Sequence, residues 1–203
     1  GAGCTNVLAI DTSGSFCSVA VVNGGGVCTA RSSAGSGDHF EQLPLLVDRV
    51  CSDAGIGIND ITSIRIGVGP GSFTGLRIGM SFAKGLACSL RVSLAGFSSL
   101  AGAAVAVMSR DLNVPRVVVV ADARRDEVFA AAYTRGFPVV EEVAPSIVPM
   151  SDLSGPLWER EGTRWVTPQR DFAPRGLLVE AESDIAAGIL SLGVERGTTF
   201  DLG

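Results

Sequence analysis

The sequence predicts an α/β protein of two lobes, each built from a mixed sheet flanked by helices. Three observations carry this prediction. The apolar period along the first 110 residues switches between two and three-to-four. Later strands are separated by helical stretches, and strands joined through helices pair in parallel. Near Pro115 the pattern starts again with a second buried strand. The boundary is therefore placed at residues 110–114, giving a larger lobe over 1–110 and a smaller one over 111–203.

"NVLAID" (6–11) is a short apolar run ending in a carboxylate. "CSVAVV" (17–22) follows, the turn signal "NGGG" (23–26) reverses the chain, and "VCTARS" (27–32) returns, which makes a meander of three strands. The period then changes. Phe40, Leu43, Leu46, Val47, Val50 and Ala54 recur at three and four, Asp38 and Glu41 have capping-box spacing, and Gly55 is a stop. Pro44 must sit near the first turn of this helix or kink it. "ITSIRIGVG" (61–69) is a strand, 72–90 a helix, "RVSLAGF" (91–97) a strand and 98–110 a serine-capped helix. Three strands followed by αβαβα is the order of ribonuclease-H-like and actin-like lobes. In the second lobe "RVVVVADA" (116–123) and "EVFAAAYT" (127–134) make a hairpin. A weak, proline-rich middle region and a short helix at 183–193 follow.

The 203 residues are 46% hydrophobic and only 18% charged. No run is long and charge-free enough to span a bilayer, and no basic segment leads into an apolar one as in a secretory signal. The five scattered cysteines form no CxxC pair and read as reduced, buried thiols of a cytoplasmic protein. One histidine, His39, cannot build a zinc site. Residues 1–100 carry six basic and six acidic side chains, and residues 101–203 carry ten and fifteen. An acidic chain without a basic stripe lacks the footprint of independent nucleic-acid binding.

"GVGPGSFTGLRIGMSFAKGLA" (67–87) opens like a phosphate loop, but Leu76 and Arg77 stand where a Walker loop needs lysine and a hydroxyl. The dinucleotide fingerprint fails as well, because Thr74 holds the place of its third glycine. An anion site on the amides of Gly71, Ser72 and Phe73 stays open. A two-metal nuclease needs several convergent carboxylates. Asp11 and Glu41 are candidates, yet the strand over 61–69 supplies only Arg65. Nucleophilic catalysis would rest on His39 alone.

What remains is packing. Gly71, Gly75, Gly79, Ala83 and Ala87 recur every fourth position on one helix face. Two interior glycines cost about 2 kcal/mol together unless close approach offsets them. Such a face can lie on the protein's own sheet or on a helix of another chain, as in small-xxx-small pairs. The second is the expectation carried forward, and with it the expectation that Gly75→Leu disrupts pairing with another chain while leaving the monomer folded.

"LAIDTSGSFCSVAVV", "HFEQLPLLVDRV", "GVGPGSFTGLRIG" and "ADARRDEVFAAAY" strongly resemble the TsaB (YeaZ) family of bacterial threonylcarbamoyladenosine biosynthesis proteins, over about residues 6–135. The resemblance implies an actin-like ATPase-related (ASKHA) fold and a non-catalytic role. It implies pairing with a related catalytic TsaD-type subunit, work with a TsaE-type ATPase, and contact with tRNA only through the complex. The group transferred is threonylcarbamoyl, from an adenylate made by TsaC. It implies a partner surface on two helices. One contributes His39, Phe40, Leu43 and Leu46. The other contributes Gly71, Phe73, Thr74, Gly75, Arg77, Ile78, Gly79 and Ala83. A homodimer through the same face is the form expected without the partner. Asp11, Thr12 and Ser13 resemble the first phosphate turn of actin-like ATPases, which makes them the candidate nucleotide contacts and leaves an actin-like ATPase or phosphotransferase as the alternative. Any ATP or ADP is otherwise expected at a junction in the complex. The catalytic sister family carries H-x-x-x-H on the corresponding helix. Here Leu43 follows His39 by four, so one metal ligand is missing and no metal is expected.

Overall fold

The computed structural model describes residues 5–24, 26, 28–33, 39–174, 177–193 and 197–200. The meander is β1 (Val7–Asp11), β2 (Cys17–Val22) and β3 (Cys28–Ser33). It is followed by α1 (His39–Asp53), β4 (Ser63–Gly67), α2 (Phe73–Leu90), β5 (Ser93–Phe97) and α3 (Ser99–Arg110). β1 pairs antiparallel with β2 and parallel with β4, and β4 pairs parallel with β5. That is the actin-like arrangement expected from the element order. Strand alternation sets the layers. Leu8 and Ile10 of β1 face α1 and α2, while Ala9 between them faces the opposite side.

The second sheet begins with β6 (Arg116–Arg124) and β7 (Glu127–Thr134), the predicted hairpin. It continues into β8 (Val140–Pro149), β9 (Thr163–Thr167) and β10 (Glu180–Ala181), in the order β10-β9-β6-β7-β8. β8 was not expected from the sequence. Its ten residues include Pro145 and Pro149, and it is the sheet's edge, where a strand tolerates residues without an N–H. Its side chains are mostly exposed, so no apolar alternation marks it.

The boundary at 110 needs correcting at the far end of the chain. After β10 the chain runs into α4 (Ile185–Leu190) and then β11 (Thr198–Thr199), which pairs with β5 at the edge of the first sheet. α4 lies beside α3 between the two sheets. Ile185, Ala186 and Ile189 share one apolar cluster with Ala9 and Ala20 of the first sheet and with Val117 and Val119 of the second. The described residues 185–193 and 197–200 thus belong spatially to the first lobe. Two interactions hold them there. Gly188 lies so near Gly102 of α3 that a Cβ would stand 1.8 Å from the Gly102 carbonyl oxygen. Arg65, the lone charge of β4, donates to the carbonyls of Ile189, Leu190 and Leu192 at 3.0, 3.1 and 2.7 Å, closing the C-terminal end of α4.

Pro44 lies inside α1 rather than in its first turn. Asp38, the predicted cap, lies outside the described residues. Cys17 and Cys51 are buried as expected, but Cys88 is exposed on α2, and the side chains of Cys4 and Cys28 lie outside the described residues. Burial, aided by the nearby Asp11 carboxylate, pushes the Cys17 thiol up to about 12, which keeps it protonated and inert. Among the described residues no helix is long and apolar enough to cross a membrane.

Arg110, the last residue of α3, forks onto the buried Glu182 at 3.0 and 2.5 Å and reaches Asp184 at 3.3 Å. Burial and then the Glu182 charge raise the Asp184 carboxyl above its ordinary range, with Arg110 opposing. The folded chain therefore holds this proton more tightly than the unfolded one. The contribution favours folding at low pH and is lost as pH rises from about 4 through the raised value. Asp184→Asn is expected to flatten that loss and to leave stability at pH 7 unchanged or slightly raised. The side chain is 38% exposed, so solvent keeps the effect within about 0.5 kcal/mol. Urea unfolding from pH 4 to 7 measures it.

Candidate functional site

Two regions carry the sequence-predicted residues: the turn that follows β1 and the helix α2. In the turn, Asp11, Thr12 and Ser13 are fully buried. Asp11 Oδ1 accepts from the Ser13 amide at 3.0 Å and from the Ser13 hydroxyl at 2.7 Å. Asp11 Oδ2 accepts from the Ser99 hydroxyl at 2.5 Å, and Ser99 Oγ in turn accepts from the Gly69 amide at 3.0 Å. Thr12 donates its hydroxyl to the Gly75 carbonyl at 2.7 Å. These side chains join the end of β1 to the starts of α2 and α3.

A nucleotide phosphate would need the same atoms. The Asp11 carboxylate, the Thr12 hydroxyl and the Ser13 amide and hydroxyl are engaged inside the protein, and the Ser15 amide donates to the Pro168 carbonyl at 3.0 Å. The side chains expected as nucleotide contacts at these three residues are therefore closed off from solvent and turned to internal partners. At the start of α2, one of the three amides expected to be open to an anion is engaged as well. The Ser72 amide donates to the Ser13 carbonyl at 2.7 Å.

The glycines of "GVGPGSFTG" have internal reasons. At Gly67 a Cβ would stand 1.8 Å from Asp11 Oδ2, so this glycine makes the space the carboxylate fills. Gly69 has φ +92, a conformation that side chains strain to adopt. An added Cβ would lie 2.3 Å from the Ser13 carbonyl oxygen at Gly71, in the turn just before α2, and on α2 itself 2.1 Å from the Thr12 carbonyl oxygen at Gly75 and 2.2 Å from Thr12 Oγ1 at Gly79. Ala83 and Ala87 are fully buried on the same side, in the cluster with Ile64 and Ile66. The small-residue stripe therefore lies on the protein's own sheet. Gly71, Gly75, Gly79 and Ala83 are corrected from partner-facing to internal, and Gly75→Leu would break the monomer rather than separate it from another chain. Leu43 moves inward likewise, being fully buried, and Leu46 is half-buried against the same core.

The opposite face of α2 is the open one. Phe73 is 73% exposed, Thr74 and Arg77 are exposed, and Ile78 is half-buried. The Arg77 guanidinium sits 5.3 Å over the Phe73 ring. Thr74, Arg77, Ile78, Ser81 and Phe82 line a shallow groove. Thr74, Ile78, Ser81, Gly85 and Cys88 follow one another at spacings of four and three, the repeat of a helix–helix seam. Gly85 is exposed, with nothing within 4 Å of where a Cβ would be. On α1, Leu45 is 72% exposed. The side chains of His39 and Phe40 lie outside the described residues. Ser81, Phe82 and Gly85 escaped notice in the sequence because the glycine-and-alanine stripe is the stronger pattern on the same helix. Ser99 escaped because nothing local ties that serine to Asp11, 88 residues away.

A family model described as TsaD: tRNA N6-adenosine threonylcarbamoyltransferase matches residues 25–156. The tRNA threonylcarbamoyladenosine biosynthesis protein TsaB of Escherichia coli (strain K12) is 35% identical over 168 residues, covering 78% of this chain and 71% of that protein. The TsaB protein of Haemophilus influenzae is 33% identical over 129 residues, 64% of this chain and 54% of that protein. The chain thus spans little more than half the length of the second relative. Among solved structures, YeaZ from Pseudomonas aeruginosa superposes with a TM-score of 0.76 at 26% identity, covering 92% of this chain and 89% of that one.

The two faces of α2 make opposite predictions for one substitution. Gly75→Ala should destabilise the monomer by about 1–3 kcal/mol through overpacking, despite its better helix propensity. Gly85→Ala should stabilise it by up to about 1 kcal/mol. Urea unfolding of the two variants separates the faces.

Proposed function

Because this chain belongs to the TsaB (YeaZ) family of tRNA threonylcarbamoyladenosine biosynthesis proteins, we propose that it serves as a non-catalytic subunit of the machinery that places that modification on tRNA. Its task is to hold a related catalytic, TsaD-type subunit through the outer face of α2, with the exposed side of α1 beside it. A TsaE-type ATPase works on the pair, and tRNA meets this chain only through the assembly.

The observation that carries the proposal is the outer face itself. Gly85 stands in a helix interior at a cost of about 1 kcal/mol, and no described residue of the protein requires it there. A partner helix approaching closely would. The flanking Phe73 and the groove at Ile78 and Phe82 supply the apolar area that an interface core needs. Arg77, stacked on Phe73, places a cation at the rim. A second copy of this chain, in the absence of the partner, would use the same seam.

The alternative, an actin-like ATPase or phosphotransferase, drew its support from Asp11 and the glycine turn. Asp11 is buried against Ser13 and Ser99, and the turn's glycines make room for internal neighbours. Any nucleotide used by the assembly is therefore assigned to a junction between subunits rather than to this turn.

Gly85→Arg is expected to abolish pairing with the TsaD-type subunit, because its side chain grows into open space and leaves the monomer folded. Size-exclusion chromatography with light scattering reads this directly. Undiminished pairing by Gly85→Arg would place the interface elsewhere.

A further inference from the structure

We infer that the segment 168–170, which follows β9, is a built-in tie that locks the two lobes together across the turn resembling a phosphate loop, so that their arrangement needs no nucleotide. Three consecutive residues bond to both lobes. On the first lobe, the Pro168 carbonyl accepts from the Ser15 amide at 3.0 Å, and the Arg170 amide donates to the Ser15 hydroxyl at 3.0 Å. The Arg170 guanidinium also lies 5.8 Å over the ring of Phe16. On the second lobe, Gln169 Oε1 accepts from the Asp122 amide near the end of β6 at 2.6 Å. Gln169 is held from behind, its own amide donating to the Thr167 hydroxyl at 3.2 Å.

The first turn is shaped to receive this segment. Gly14 has no left-handed φ to explain it. A Cβ there would stand 1.9 Å from the Pro168 carbonyl oxygen, so glycine is required by the contact alone. Pro168 is buried, and Thr167 before it is 1% exposed.

The physical consequence concerns coupling. A ligand can draw two lobes together only by binding the closed arrangement better than the open one. A tie on the same chain is always present and loses no translational freedom when it docks. A turn that binds anions must also offer its amides, and here the Ser15 amide is already given to Pro168. The lobes therefore keep one arrangement whether or not ATP is present. This inference is independent of the pairing surface on α2, which lies on the other face of the first sheet from α3 and α4.

Amide hydrogen exchange of the full chain tests it. Ser15, Asp122 and Arg170 should be protected in the wild type, and millimolar ATP with Mg²⁺ should not change their rates. Gln169→Ala removes the acceptor for Asp122 and should speed exchange at Asp122 and Ser15 about tenfold or more, with α3 unaffected. Gln169→Glu keeps an acceptor oxygen and should restore most of the protection. Light scattering should show that Gln169→Ala pairs with the TsaD-type subunit as the wild type does, so loss of the tie and loss of the interface are distinguishable. Exchange at Ser15 and Asp122 as fast as in an open turn would overturn the inference. So would protection that survives Gln169→Ala, or protection that rises on adding ATP.

Discussion

The carboxylate of Asp11 sits at the end of the central strand of the first sheet, closed off from solvent, and three elements converge on it. Ser13 bonds it from the following turn, Ser99 bonds it from the first turn of α3, and Gly67 at the end of β4 is glycine so that it fits. Ser99 then passes the connection on to the Gly69 amide at the head of the loop that launches α2. A buried carboxylate persists only when its lone pairs are satisfied. Once it is, it fixes the positions of every group that satisfies it. The starts of α2 and α3 and the shape of the glycine loop follow from that requirement.

Much of this architecture was legible in the sequence. Periodicity located the meander, α2 and α3, and the serine cap read for α3 holds, Ser98 accepting from the Ala101 amide; Ser72 caps α2 in the same way, accepting from the Gly75 amide. The second-lobe hairpin was found because Val117–Val120 and Ala130–Ala132 are buried on both faces and read as continuous apolar runs. β8 was not found, since an exposed edge strand carrying two prolines has no pattern to read. The return of α4 to the first lobe was invisible for a different reason. It depends on Arg65 reaching carbonyls more than 120 residues away and on Gly102 meeting Gly188, and neither contact leaves a local signature.

The candidate site shows how far a pattern alone can go. The stripe Gly71–Gly75–Gly79–Ala83 correctly announced close approach of another backbone. It could not say whose. The approaching groups are the Thr12 and Ser13 carbonyls of the same chain, so the helix is bared inward and the face left open is the one opposite. Small residues on a helix report the distance of a neighbour, and Gly85, exposed on the other side, has no described neighbour in the monomer to account for it. The turn at Asp11 misled similarly. Residue types suited to a phosphate are equally suited to capping and bridging, and burial decides between the two uses. Phosphate chemistry needs such atoms open to a ligand, whereas here the Asp11 carboxylate and the Thr12 and Ser13 hydroxyls are spent on the fold.

Asp11 is therefore a structural joint, and equilibrium urea unfolding of Asp11→Ala tests that claim most directly. The loss of the carboxylate strands the Ser13 and Ser99 donors in the interior, and a stability loss of about 2–4 kcal/mol is expected. A variant as stable as the wild type to within about 0.5 kcal/mol would contradict it, because an aspartate whose removal the fold does not register is not what holds these elements together.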